Sequence, residues 1–172
     1  MNKGMKRVIV LLATLLASVT IASAQNYMVV NSQKIFQSME EYNKVMTELE
    51  ELTEQYQERV DEAYAQIEEM YNAYQQEKSS MTAAVRQTRE DAIIANEKKV
   101  AEFQEEVFGQ GGTLMQQRIE QLKPIQDKVF EAIEKYAEQN GFDLVLDIAS
   151  NPTILYYKPS ADRTEQIINQ LK

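Results

Sequence analysis

Between Val45 and Tyr74 the apolar positions fall at Val45, Leu49, Leu52, Tyr56, Val60, Tyr64, Ile67, Tyr71 and Tyr74, and mostly Glu, Gln, Lys and Arg fill the gaps. Eight steps cover 29 residues. That is about 3.6 residues per step, the repeat of an undistorted α-helix rather than the 3.5 of a left-handed coiled coil. A single narrow stripe lets such a helix bury only one edge. Ser38 with Glu41 three residues later reads as a capping box that starts it. A helix over 39–78 is on the order of 60 Å long at 1.5 Å per residue. A compact domain of this chain length has no room for it, so it must project.

Ser79-Ser80 are the weakest helix formers for some distance on either side and mark the tip of a hairpin. The returning helix, Met81 to Phe108, offers Val85, Thr88, Ala92, Ala95, Phe103 and Val107 on one side, with Lys99 intruding. These residues are small and irregularly placed, which predicts a weakly held outer hairpin. "FGQGG" at 108–112 then holds three of the chain's five glycines. Each costs a helix interior up to ~1 kcal/mol relative to Ala. Gly109, Gly111 and Gly112 therefore interrupt the helix close to the base of the hairpin. They form either a hinge between a rod and a body or a plain cap between two consecutive helices.

Beyond the glycines, Met115, Ile119, Leu122, Gln126, Val129, Ile133 and Tyr136 keep a 4-3-4-3 rhythm suited to helix packing, with Gln126 the polar exception. Pro124 is expected to kink this helix or to start its next section, and Gly141 in "QNG" ends it. "FDLVLDI" alternates as a strand over 142–148, "TILYY" reads as another over 153–157, and Asp162 with Glu165 caps a last helix. Tyr27 to Val30, near the start, is a short strand apolar at consecutive positions. The fold class is thus α+β, mostly α: a long antiparallel helical hairpin over 39–112 projecting from a small β-sheet body made of 25–38 and 113–172. Three short strands make a sheet too small to be stable alone, and joining its edges to other copies would cover them.

Residues 1–24 read as a cleaved secretory signal peptide. Lys3, Lys6 and Arg7 precede a mostly apolar run from Val8 to Ile21, and Ala22-Ser23-Ala24 forms a small-residue cleavage site. Fourteen apolar-run residues are too few to span a bilayer comfortably. The absence of Cys excludes both a lipid-modified cysteine after the run and any disulfide. Stability then rests on buried apolar surface, which a thin helical protein gains by pairing. The chain has 18 Lys and Arg against 27 Asp and Glu, and loss of the three leader cations leaves 15 against 27, a net charge of −12. Nucleic acid is excluded as a partner by that balance, and anionic membrane surfaces are disfavoured.

No catalytic constellation is present. Without His or Cys neither a Ser-His nor a Cys-His pair can be built. "GQGG" lacks the lysine of a phosphate loop and no strand precedes it. Asp143 and Asp147 share a strand face but have no third ligand in view, so they read as a solvated face rather than as acid/base or metal-binding residues. The expectation is no enzyme, no cofactor and no metal.

The whole of Gln25 to Lys172 resembles the Skp/OmpH family of periplasmic chaperones. The likeness lies in the strand ending "VVNSQKIFQSMEEY", the helical hairpin, the block "FGQGGTLMQQRIEQLKPIQDKVFEAIEKYAEQNGFDLVLDIA", then "ILYY" and a capped terminal helix. The Phe108 to Ile148 block is its most specific part. The resemblance implies a homotrimer whose small β body joins three chains and whose three tentacles enclose a cavity. It also implies that unfolded outer-membrane proteins are held there without ATP, in the periplasm, and delivered to outer-membrane assembly. Well-known members are strongly basic, whereas this chain is acidic, which argues against their contacts with anionic lipid and lipopolysaccharide. Client contact would then be mostly apolar and adaptable, with Tyr56, Tyr64, Met70, Tyr71, Tyr74 and Met81 the candidates. The same six side chains could instead pack one leg of the hairpin against the other. A structural periplasmic coiled-coil adaptor docking on one folded partner would need the same projecting hairpin.

Overall fold

The computed structural model describes residues 26–149, 151 and 153–172. The expected leader lies outside them. The elements run β1 (Tyr27–Val30), α1 (Ser32–Gln37), α2 (Glu40–Glu77), α3 (Ala83–Phe108), α4 (Thr113–Asn140), β2 (Leu144–Asp147), a 3-10 turn (Pro159–Ala161) and α5 (Thr164–Leu171).

The sheet has two strands, paired in parallel with Tyr27 opposite Leu144 and Val30 opposite Asp147. Parallel strands cannot be joined by a tight turn, and here the entire hairpin serves as the crossover between them. The Asp143 N–H donates to the Asn26 carbonyl at 2.7 Å and the Ile148 N–H to the Val30 carbonyl at 2.9 Å, so pairing extends one step past each end. On the other edge of β1 the Arg163 N–H donates to the Val29 carbonyl at 2.9 Å.

The strand expected over 153–157 is not part of this sheet. After Asp147 the chain must reach the far edge of β1 by Asp162, which carries it across the sheet face instead of along the edge of β2. Ile154, Tyr156 and Tyr157 accordingly border the face formed by Tyr27, Val29, Leu144 and Leu146. The strand expected over 142–148 is shortened to its four middle residues.

Two apolar cores hold the chain. In the body, Met28, Val30, Ile35, Leu122, Ile125, Val129 and Ile167 are buried together. In the hairpin, Val60, Ile67 and Tyr74 of α2 meet Ile93 and Val100 of α3. Each fully buried aliphatic side chain contributes roughly 1.5–3 kcal/mol, so the two legs of the hairpin have a core of their own, apart from that of the body. The stripe on α3 keeps two expected members, buried Val107 and half-buried Phe103, but Ile93 and Val100 are buried in it while Val85 is exposed. Ile93 and Val100 displace Thr88, Ala92 and Ala95 because Ala and Thr have little area to remove from water, and Val85 stays out because it lies in the first turn of α3, about 80° round from Ile93.

Three helix ends also differ. Ser38 does not cap α2; it closes α1, its hydroxyl donating to the Ile35 carbonyl at 2.7 Å, and Met39 stands at the start of α2. Residues 78–82 form the tip, with the Ser80 hydroxyl donating to the Glu77 carbonyl at 2.8 Å, and α3 resumes at Ala83 under a Thr82 cap, leaving Met81 in the turn. At α5 the Asp162 carboxylate accepts from the Thr164 N–H at 2.9 Å, without a reciprocal bond from Glu165 among the described residues. Pro124 lies inside a continuous α4. Gly141 ends α4 in the left-handed region at φ 67°, with the Phe142 N–H closing on the Ala137 carbonyl at 2.9 Å, as a helix stop of this kind requires.

Candidate functional site

Helix α2 carries twelve carboxylates against two cations, Lys44 and Arg59, and so holds most of the excess charge. At about 100° per residue, the side chains flanking its buried stripe fall on two edges of the hairpin. One edge bears Asp61, Tyr64, Glu68 and Tyr71. The Tyr64 hydroxyl donates to Gln104 on α3 at 3.0 Å, which pins this edge to the opposite leg. The other edge bears Tyr56, Arg59, Ala63 and Met70, facing Asn96, Lys99 and Phe103 of α3.

The six tyrosine and methionine candidates divide between core and surface. Tyr74 is buried in the hairpin core, its hydroxyl donating to Glu90. Met70 and Met81 are half-buried against the same core. Tyr56 is half-buried and meets the Phe103 ring edge-on at 6.0 Å. Tyr64 and Tyr71 remain 45% and 50% exposed, joined on the surface by Ile94 of α3 at 60%. The two open tyrosines are one heptad apart on one edge; the four covered residues brace the legs. Arg59, Ile93 and Val100 escaped the sequence reading, which took Lys99 only as an intrusion on the α3 stripe. The signal for Arg59 was its place three residues after Tyr56, one helical turn along.

At the base, the glycines form a specific tight turn. The Gly109 N–H donates to the Glu105 carbonyl and the Gly112 N–H to the Gly109 carbonyl, each at 2.9 Å, and the Gln116 amide donates to the Gly111 carbonyl at 2.9 Å. Gly111 has φ 78°, a region that side chains with a Cβ avoid. A Cβ on Gly109 would run into the Glu105 carbonyl, and one on Gly112 would stand 2.6 Å from the Glu106 carbonyl. Here glycine allows helix α4 to start close against the last turn of α3. The turn opens beside a groove between Thr47, Leu49 and Thr53 of α2 and Leu114 and Met115 of α4.

Asp143 and Asp147 are both exposed, as a solvated face requires, and each also serves as a hydrogen-bond acceptor for the chain around β1. The Asp143 carboxylate accepts from the Asn26 N–H at 3.1 Å and so anchors the chain entering β1. Asp147 accepts from the Ser32 N–H at 3.1 Å, the Ser32 hydroxyl at 2.5 Å and the Ala149 N–H at 3.0 Å. Burial alone would raise the Asp147 pKa, but these hydrogen bonds outweigh it and hold the carboxyl below its ordinary value.

The body leaves apolar side chains uncovered. Met115, Ile119 and Phe130 on α4 are 51%, 54% and 58% exposed, and Leu155 and Tyr156 are 92% and 80% exposed. The seam expected on α4 is therefore divided: Leu122 and Val129 enter the body core, while Met115 and Ile119 face outward.

Residues 26–171 match the family model described as outer membrane protein (OmpH-like). No curated protein shows significant similarity to the chain. Among solved structures, the crystal structure of a candidate outer membrane chaperone (OmpH-like) from Caulobacter crescentus superimposes with a TM-score of 0.70 at 11% identity, covering 87% of this chain and 85% of that one. At that identity the likeness is one of fold.

Proposed function

The chain belongs to the OmpH-like family, a non-enzymatic family of periplasmic outer-membrane-protein chaperones, and on that premise we propose that it is an ATP-independent holdase for unfolded outer-membrane proteins. The observation that carries this reading is a hairpin with its own core, which leaves Tyr64, Tyr71 and Ile94 open along its length. Such a rod can present apolar contacts to a client without giving up its own packing. Tyrosine suits the task, since it offers a broad amphipathic surface at low entropic cost.

The uncovered residues of the body support assembly into a homotrimer with three tentacles around a cavity. Met115, Ile119, Phe130, Leu155 and Tyr156 are large apolar side chains left exposed on the body, and a second copy docking there would remove them from water. The glycine turn at 109–112 is the natural place for a tentacle to swing, because it breaks the helix between hairpin and body on the returning leg, as residues 38–39 do on the outgoing one. Tyr74 would reach a client only where the legs part and Tyr56, Met70 and Met81 are half-covered, so Tyr64 and Tyr71 are the first contacts.

The reading is tested by diluting several unrelated urea-unfolded outer-membrane β-barrels into buffer with the mature protein and following light scattering. A holdase suppresses aggregation of all of them without nucleotide. Suppression of none, or tight binding to a single folded protein instead, would replace it with the adaptor reading.

A further inference from the structure

One edge of the hairpin holds a groove of about 250 Å³ between α2 and α3. Its apolar lining includes Ile67, Met70, Val100 and Phe103, and its charged lining is cationic, Arg59 and Lys99. The placing of these two cations is unexpected on an acidic rod. Arg59 is one of only two cations on α2, with Glu58 beside it and Glu62 one turn on. Yet among the described residues neither Arg59 nor Lys99 forms an ion pair, whereas nearby Lys98 pairs with Glu102 and Lys44 pairs with Glu48. Arg59 lies instead over the Phe103 ring at 4.5 Å and near Tyr56 at 5.9 Å. Stacking on rings leaves the edge N–H donors of a guanidinium free to bind a carboxylate.

We infer that this groove docks extended polypeptide segments in which a carboxylate is flanked by aliphatic residues. The aliphatic side chains would lie on Ile67, Met70 and Val100, and the carboxylate would meet Arg59 and Lys99. The two edges of the hairpin then differ in sign: this edge receives acidic segments, and the Asp61, Tyr64, Glu68, Tyr71 edge does not. A rod whose net charge repels acidic clients keeps one local exception to that repulsion. The inference rests on the holdase reading and adds to it a segment preference.

Two unstructured fluorescent peptides of equal length serve as probes, one containing Leu-Asp-Leu and Val-Glu-Leu blocks, the other with Asn and Gln replacing the acids. The mature protein is expected to bind the acidic peptide roughly fivefold more tightly at low salt, the scale of one or two partly exposed ion pairs. Arg59→Gln with Lys99→Gln should bring that ratio to about one. Lys98→Gln, which removes a cation already paired with Glu102, should preserve it. Because Arg59 packs on Phe103, the Lys99→Gln single variant provides a reading free of any packing loss and should at least halve the ratio. Equal affinity for both peptides in the unaltered protein, or an equal loss in Lys98→Gln, overturns the groove while leaving the holdase standing. Binding of neither peptide, together with no suppression of barrel aggregation, overturns both.

Discussion

The Tyr74 hydroxyl donates to the Glu90 carboxylate across the two legs of the hairpin, and the Lys78 ammonium stands 5.3 Å from the same ring. These three residues lock the outer third of the rod just below its tip. The Glu90 hydrogen bond raises the Tyr74 pKa, and burial raises it further. A folded pKa above the unfolded one means this contribution is complete below about pH 10 and is lost as pH rises through the folded value. Absorbance titration is expected to show one tyrosine ionising later than the others, and Tyr74→Phe should abolish that late step. Amide exchange around 74–90 should quicken in Tyr74→Phe at neutral pH while Met28 to Val30 stay protected. A uniform tyrosine titration would show that the bond does not persist in solution.

Separate cores predict separable damage. Val129, fully buried in the body, should cost about 2–3 kcal/mol on replacement by Ala. Val100→Ala removes a similar side chain from the hairpin core. Exchange measurements should show Val129→Ala loosening the body and Val100→Ala loosening only the hairpin. Loss of protection throughout the chain in both variants would mean that the two cores fold as one unit.

Acid should weaken the body through Asp147. Its folded pKa is depressed, so its stabilisation is present above the unfolded value near 4 and disappears as pH falls through the folded value. Asp147→Asn is expected to lower stability by about 1 kcal/mol at pH 7 and to flatten the dependence on pH below 4. Denaturant melts at pH 7, 4 and 3 check both effects. An unchanged acid limb in the variant would assign acid sensitivity to other carboxylates.

The glycine turn should resist substitution. Gly111→Ala places a Cβ at positive φ, at a cost of about 1 kcal/mol, and Gly109→Ala additionally drives one against the Glu105 carbonyl. Both variants should melt earlier, Gly109→Ala more so. Distances between spin labels at Ser80 of the assembled protein should change in mean or width if the tentacle swings here. A Gly109→Ala protein with unaltered melting and unaltered distances would assign the turn no part in setting tentacle direction.

Exposed apolar residues of the body should matter to assembly. Phe130→Glu or Leu155→Asp places a charge where we propose a second copy docks. Light scattering should then show loss of the trimer at micromolar concentration, with helix content largely retained. A trimer that survives both changes would move the interface elsewhere.

The length of the hairpin, its tip, the glycine break and the Gly141 stop were legible in sequence, because each depends on local rules. A 3.6-residue repeat over 29 positions admits no other regular structure, and residues such as Ser79-Ser80 and Gly141 act within one helical turn. The tertiary structure decided what depends on distant neighbours. It chose Ile93 and Val100 over Val85, because the first two stand one heptad apart on the face that meets α2, whereas Val85 lies in the first turn of α3, about 80° round from Ile93. It made Ser38 a terminator and not an initiator, because the short helix preceding it offers the Ile35 carbonyl. It denied 153–157 a place in the sheet, because the chain crosses the sheet face on its way to the far edge of β1. It also sorted the six tyrosine and methionine candidates into covered and open ones and brought Arg59 to Lys99 across forty residues of sequence. A helical repeat shows that an edge is buried, but only the opposing helix decides which atoms fill it and which charges are left beside it.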